Sequence, residues 1–192
     1  MVKLPPPRTT GQVSVEEALE RRRSRRRFSA KELDWAQVSQ LLWSAQGVAD
    51  RRGLRTAPSA GATYPLEVYL VTSEGVQYYR PAAHELELTV EGDVRRQLRG
   101  ACLDQRWIEE APVSIVIAAV YDRTGRAYGQ RAIRYVHMEA GHAAQNVHLQ
   151  AVALGLGSVP IGAFRDEQVR KVLSLPDDHQ PLYVISVGYS LE

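Results

Sequence analysis

Leu66-Glu67-Val68-Tyr69-Leu70-Val71-Thr72-Ser73-Glu74-Gly75-Val76-Gln77-Tyr78-Tyr79-Arg80-Pro81-Ala82-Ala83-His84-Glu85-Leu86-Glu87-Leu88-Thr89-Val90 is the stretch that decides the fold class. Three runs rich in Val, Leu, Tyr and Thr cover Leu66–Thr72, Val76–Tyr79 and Glu85–Val90. Only the short turns Ser73-Glu74-Gly75 and Pro81–His84 separate them. Strands joined so closely can pair only as antiparallel neighbours, so the stretch predicts a meander. Farther on, Pro112 precedes the continuous apolar run Val113–Val120, which predicts a strand covered on both faces. Strands are also expected around Ser158–Ile161 and over Leu182–Val187. The order lacks strict βαβ alternation. The expectation is therefore α+β, a mainly antiparallel central sheet flanked by helices.

The helices are read from caps and period. Ser14, with Glu17 three residues later, has capping-box form and opens a helix of about two turns that runs into an arginine cluster and ends before Phe28-Ser29. Asp34 caps a second helix with Val38, Leu41, Leu42 and Ala45 on one face, closed by Gly47. Short helices are expected over Asp93–Leu98 and near Glu167–Leu173. From about Gln130 to Leu154 the pattern is one long helix, with Ala132, Ala140, Gly141, Ala143, Ala144, Ala151 and Ala153 spread around it and Gly155-Leu156-Gly157 at its end. A chain of 21.4 kDa has little room to bury six turns, so a homodimer with this helix near its two-fold axis is expected. Residues 49–65 form a proline-bounded loop of small residues, a type that more often carries function than not.

At 192 residues the chain is the size of one domain, 1–192, with residues 1–12 a flexible or extended arm. Leu191-Glu192 has the character of a cloning scar and carries no weight. One Cys allows no internal disulfide and no Cys-based zinc site, and no apolar run approaches the roughly 20 residues of a membrane span. Secreted disulfide scaffolds, membrane proteins and zinc ribbons are excluded, and a cytoplasmic location is expected. His137 and His142 stand five apart, the wrong spacing for one metal ion, so no metal site is expected. Gly155–Gly162 follows a helix and opens a strand, the reverse of a dinucleotide-binding loop. Cys102 reads as a small core residue.

The net charge of +2 is unevenly distributed. Residues 1–27 hold eight basic and three acidic side chains; the rest hold 16 and 19. Six of the seven residues from Arg21 to Arg27 are Arg, with Ser24 among them. Guanidinium forks bind phosphate in a bidentate way, so a phosphate-ester site is one reading; a solvated helix end is the other. Nucleic acid is less favoured, because the remainder is net acidic and aromatics do not interleave with the arginines. Pro160-Ile161-Gly162-Ala163-Phe164 reads either as a plain strand exit or as a backbone edge for a planar ligand.

Taken in order, these motifs resemble the nitroreductase superfamily of FMN-dependent flavoproteins, and within it the SagB-type dehydrogenase branch. The resemblance runs from about Val15 to Tyr189. It rests on Arg22–Phe28, Ala57–Gly61 with Tyr64-Pro65, Gln105-Arg106-Trp107 before Ala111-Pro112, and Tyr128-Gly129 with Arg134-Tyr135. It continues with Glu139–Asn146, Leu154–Gly157, Pro160–Phe164 and Val187–Tyr189. It implies an intertwined homodimer with two FMN sites at the subunit interface. Arg22, Ser24 and Arg26 are then expected at the phosphate and ribityl chain, and Arg23 at the pyrimidine edge. Pro58, Ser59, Ala60 and Gly61 are expected to reach the same FMN from the other subunit. Gln105 is expected among the cofactor contacts, with Pro160, Ile161, Gly162 and Ala163 along the ring near N5. The implied reaction is ping-pong hydride transfer from NAD(P)H through FMN to a small electron-poor acceptor, with the chemistry supplied by the cofactor.

Two departures stand out. Azoline-oxidising relatives carry a Lys-Tyr pair before the glycine, and here the match is Ala127-Tyr128-Gly129. Tyr128 remains a candidate proton donor, while oxidation of a modified peptide by an azoline dehydrogenase becomes the alternative rather than the lead. Many relatives also continue past the last strand; with this sequence ending at Glu192, phosphate binding is expected to lean on the N-terminal arginines. A flavin- or nucleic-acid-binding module without turnover is the alternative of another class.

Overall fold

A computed structural model describes residues 1–192. Its strands are β1 (Val2–Lys3), β2 (Leu66–Thr72), β3 (Gly75–Arg80), β4 (Glu85–Glu91), β5 (Val113–Ala119), β6 (Gly157–Ile161) and β7 (Gln180–Gly188). They form one sheet in the order β1-β4-β3-β2-β5-β7-β6, antiparallel at every pairing. The meander pairs Tyr69 with Tyr78 and Tyr79 with Leu86. Its first turn needs its glycine: Gly75 has φ +141°, and a Cβ there would stand 2.0 Å from the Val90 carbonyl oxygen.

Helices cover both faces: α1 (Val15–Arg21), α2 (Trp35–Gln46), α3 (Arg95–Ala101), α4 (Trp107–Glu110), α5 (Tyr121–Tyr128), α6 (Ala132–Ala153) and α7 (Asp166–Leu173). Strand alternation divides the core. Leu66, Val68, Leu70, Ile115 and Ile117 pack under α2 and α6 with Leu41, Leu42, Val136 and Val147. Tyr69, Val71, Val116 and Ala118 face Leu98, Ile108, Val169 and Leu173 of α3, α4 and α7. β5 feeds both clusters, which is why its sequence is apolar throughout except for Ser114, whose buried hydroxyl bonds Ser186.

Five local expectations are altered or sharpened. α1 ends at Arg21, and Arg22–Phe28 is an extended strap instead of a helix end. Its backbone satisfies the open edge of β6: Ser24 bridges Ser158 in parallel, and the Arg25 N–H donates to the Ser158 carbonyl at 3.0 Å. Ser14 caps α1 by accepting from the Glu17 N–H at 3.1 Å, while the Glu17 carboxylate turns to Arg21 at 2.8 Å. α5 occupies residues read as connection, because a short polar helix with only Thr124 buried carries no apolar stripe. The N-terminal arm is extended and tied down: β1 pairs with β4, Leu4 is buried, and Gln40 bonds both the Arg8 N–H (2.8 Å) and its carbonyl (3.0 Å). Finally, α6 buries one broad face and leaves Ile133 and Met138 exposed. No helix is long and apolar enough to cross a membrane.

Candidate functional site

The strap places a row of guanidinium groups beside β6. Of its arginines and Arg21, only Arg21 has an ion-pair partner. Arg22 and Ser24 are half-buried, and the Arg26 guanidinium lies 5.5 Å from the centre of the Trp107 ring. Arg23 is committed elsewhere: its Nη1 donates to the Glu20 and Arg22 carbonyls at 2.8 and 2.7 Å, closing the end of α1. The exit of β6 lies against the same region. Gln105 Nε2 donates to the carbonyls of Cys102 (2.8 Å) and Ala163 (3.0 Å), so one side chain fixes the loop before α4 to the Pro160–Ala163 exit. Ile161 is buried, whereas Gly162 and Ala163 expose backbone, and a Cβ on Gly162 would meet only Tyr183 at 3.9 Å.

Beneath the strap, His148 of α6 is 4% exposed. Its Nδ1 shares a 2.7 Å hydrogen bond with Ser158 Oγ, and its Nε2 is buried without a partner. Burial, and then the charge of Arg22, push the imidazole down to about 4. His148 is therefore neutral at physiological pH, and Arg22 stands as an uncompensated cation over the site.

The Pro58–Gly61 group sits elsewhere along α6. Gly61 (φ +59°), Ala62 (φ +52°) and Tyr64 (φ +45°) are all left-handed. For the two non-glycine residues this costs about 1–2 kcal/mol each, so the turn persists only if its surroundings hold it. They do. The Tyr64 N–H donates to Ser59 Oγ at 2.9 Å, Arg123 Nη1 donates to the Tyr64 carbonyl at 3.0 Å, and Thr63 bonds Thr124 at 2.8 Å. Arg55 stacks over the Tyr64 ring at 4.6 Å, and Asn146 Nδ2 donates to the Thr56 carbonyl at 3.2 Å. Tyr128 packs edge-on against Tyr135 at 5.1 Å, and its hydroxyl would lie 2.7 Å from a Cβ on Gly61. Glu139 of α6 is 3% exposed, and burial pushes its carboxyl group up to about 7.

Gly61 thus meets α6 at Tyr135, through Tyr128, and Ser24 meets it at His148, through Ser158, thirteen residues on. At 1.5 Å per residue, about 19.5 Å of helix separates the two stations. One chain brings together Arg22, Ser24, Arg26, Gln105 and Pro160–Ala163. It holds Pro58–Gly61 and Tyr128 apart from them. Cys102, whose thiol burial pushes up to about 12, is no nucleophile. Sequence reading passed over Trp107 as a site residue, and Glu139, His148 and Arg55 as well. For Glu139 and His148 a signal existed: the helical period places them beside Val136, Ala140, Ala144 and Ala151 on the buried face of α6, where an ionisable group needs a reason.

The fold defines an α+β scaffold of known type, an antiparallel sheet flanked by helices. The Nitroreductase family model matches residues 19–189, and the chain belongs to that family. The nitroreductase candidate MJ1384 of Methanocaldococcus jannaschii is 43% identical over 187 residues, covering 94% of this chain and 93% of its own. The crystal structure of a nitroreductase candidate from Ralstonia eutropha superposes with a TM-score of 0.90 at 30% identity, covering 100% of this chain and 90% of that one. The microcin B17-processing protein McbC of Escherichia coli is 27% identical over 152 residues, 72% of this chain and 55% of its own.

Proposed function

We propose that this protein is an FMN-dependent oxidoreductase that takes a hydride from a reduced nicotinamide and passes it to a small electron-poor acceptor, working as a cytoplasmic homodimer of one-domain chains. The observation that carries the reading is the strap: half-buried, unpaired Arg22 and Ser24 beside a buried, partnerless imidazole nitrogen, next to an exposed Gly-Ala backbone edge. That donor set suits a phosphate ester with a planar ring beyond it. FMN, when bound, supplies a ring nitrogen that accepts and releases hydride.

The chain's own residues bind and orient. Arg22, Ser24 and Arg26 would hold the phosphate and ribityl chain, Trp107 keeps the Arg26 guanidinium in place, and Gln105 fixes the Ala163 carbonyl so that Pro160–Ala163 can lie along the ring. Pro58–Gly61 would complete the pocket from a partner subunit, a role consistent with their distance from the strap within one chain. Arg23, turned back on α1, is the weakest of these assignments. Tyr128, 37% exposed beside Gly61, would meet substrate there and remains the candidate proton donor.

Purified protein should be yellow and should bleach on anaerobic titration with NADH or NADPH. Colourless protein that ignores added FMN refutes the reading. The similarity to McbC favours a second reading, an azoline dehydrogenase. Loss of two mass units from a thiazoline peptide tests it.

A further inference from the structure

We propose that Glu67, acting through Arg123, is a positioning residue: it locks α5 to the left-handed turn Ser59–Tyr64 and so fixes the edge that Ser59, Ala60 and Gly61 offer to the flavin of a partner subunit. The inference rests on the flavin reading and adds to it a buried residue that acts only through its neighbour.

Strand period puts Glu67 on the face of β2 that carries Tyr69 and Val71, paired with Ala118 of β5, and the residue is 5% exposed. An apolar side chain would fit there without the cost of burying a carboxylate. Both of its oxygens are occupied: the Tyr78 hydroxyl donates to Oε2 at 2.6 Å, and Arg123 Nη2 donates to Oε1. The other arm of the same guanidinium, Nη1, donates to the Tyr64 carbonyl at 3.0 Å. One planar fork therefore spans from the sheet to the turn, a geometry that the point charge of a lysine does not reproduce.

The fork reaches the turn where the backbone most needs restraint, since Ala62 and Tyr64 are left-handed without being glycine. The neighbouring ties run the same way: Thr63 Oγ1 bonds Thr124 Oγ1 at 2.8 Å, and the Val120 N–H donates to the Pro65 carbonyl at 2.8 Å. Thr63, Tyr64 and Pro65 are thus each fastened to the start of α5, and this end of the turn moves with that helix. α5 buries Thr124 alone, so it has little apolar surface to hold it on the sheet. The Glu67–Arg123 pair supplies the charged anchor instead. Tyr128 ends α5, with its hydroxyl 2.7 Å from where a Cβ on Gly61 would stand, so the same anchor sets that hydroxyl against the turn.

The test compares Glu67→Leu with Glu67→Gln, which keeps an acceptor for Arg123. Arg123 lies at the surface, so Arg123→Ala breaks the same fork without touching the core. Hydrogen exchange is measured first on flavin-free protein of unchanged far-ultraviolet circular dichroism. Glu67→Leu and Arg123→Ala should each speed exchange of the Thr63 and Tyr64 amides by about tenfold, roughly the loss of one hydrogen bond, with Glu67→Gln near wild type. The amide of Val147, buried in the middle of α6, should keep its wild-type rate in all three. FMN affinity is then read by flavin fluorescence; it should fall by a similar factor in Glu67→Leu and Arg123→Ala and be restored in Glu67→Gln. Adding Glu67→Leu to Arg123→Ala should change neither readout further, because the two act through one fork. Unchanged exchange at Thr63 and Tyr64, or equal acceleration at Val147, overturns the restraint. Faster exchange with unaltered FMN affinity overturns the presentation. A wild-type protein that binds no FMN overturns the flavin reading and the presentation with it, while the exchange data still decide whether Glu67 holds the turn.

Discussion

Replacing Arg22 with alanine separates a phosphate site from a merely basic surface. Arg22 is half-buried, has no acidic partner, and stands close enough to His148 to depress the imidazole. Its removal breaks no ion pair, so folding stability should change by no more than about 0.5 kcal/mol. A charged hydrogen bond to phosphate contributes about 1.5–3 kcal/mol, which corresponds to a roughly 10- to 150-fold rise in the Kd for FMN. Riboflavin carries the same ring without the phosphate, so its affinity should hardly move. The assay is fluorescence titration of both ligands against wild type and Arg22→Ala. A second sign should accompany it: wild-type FMN binding weakens with added salt, and the variant's binding weakens less steeply. Equal losses for FMN and riboflavin would place Arg22 against the ring, and no loss for either would remove the strap from the site. Either result refutes the phosphate assignment.

Three other outcomes follow from the same geometry. Gly75→Ala must place a Cβ against the Val90 carbonyl at φ +141°; it should cost about 3 kcal/mol or more and lower Tm by roughly 6–12 °C, read by thermal denaturation. His148, held at about 4 when folded against an ordinary 6.5, binds its proton more weakly in the native state. Its stabilising contribution is full above pH 6.5 and lost as pH falls toward 4, on the order of 2–3 kcal/mol, and His148→Gln should flatten that limb of a urea-denaturation series. Glu139 works in the opposite sense. Raised to about 7 from 4.5, it favours the folded state most below pH 4.5 and loses that advantage as pH climbs to 7; Glu139→Gln should therefore gain stability relative to wild type above pH 7 and not below pH 4. A parallel pH profile for the two proteins contradicts this.

What residues dictate about their near neighbours was legible in the sequence. The meander, β5, and the caps at Ser14 and Asp34 depend on period and on hydrogen bonds three residues long, and they appear within a residue or two of where the pattern puts them. The candidate cofactor segments were legible too, as motifs in order. Tertiary structure alone decided the rest. The arginines form an extended strap because β6 is a sheet edge more than 130 residues away, and the arm is ordered because Gln40 and β4 receive it. That Gly61 and Ser24 reach α6 at different turns, through Tyr128 on Tyr135 and through Ser158 on His148, and that Glu139 is buried between them, follows from how the layers stack. Local preference is encoded in adjacent residues, whereas an edge to be paired or a carboxyl group to be satisfied is defined by whichever distant segment packs against it.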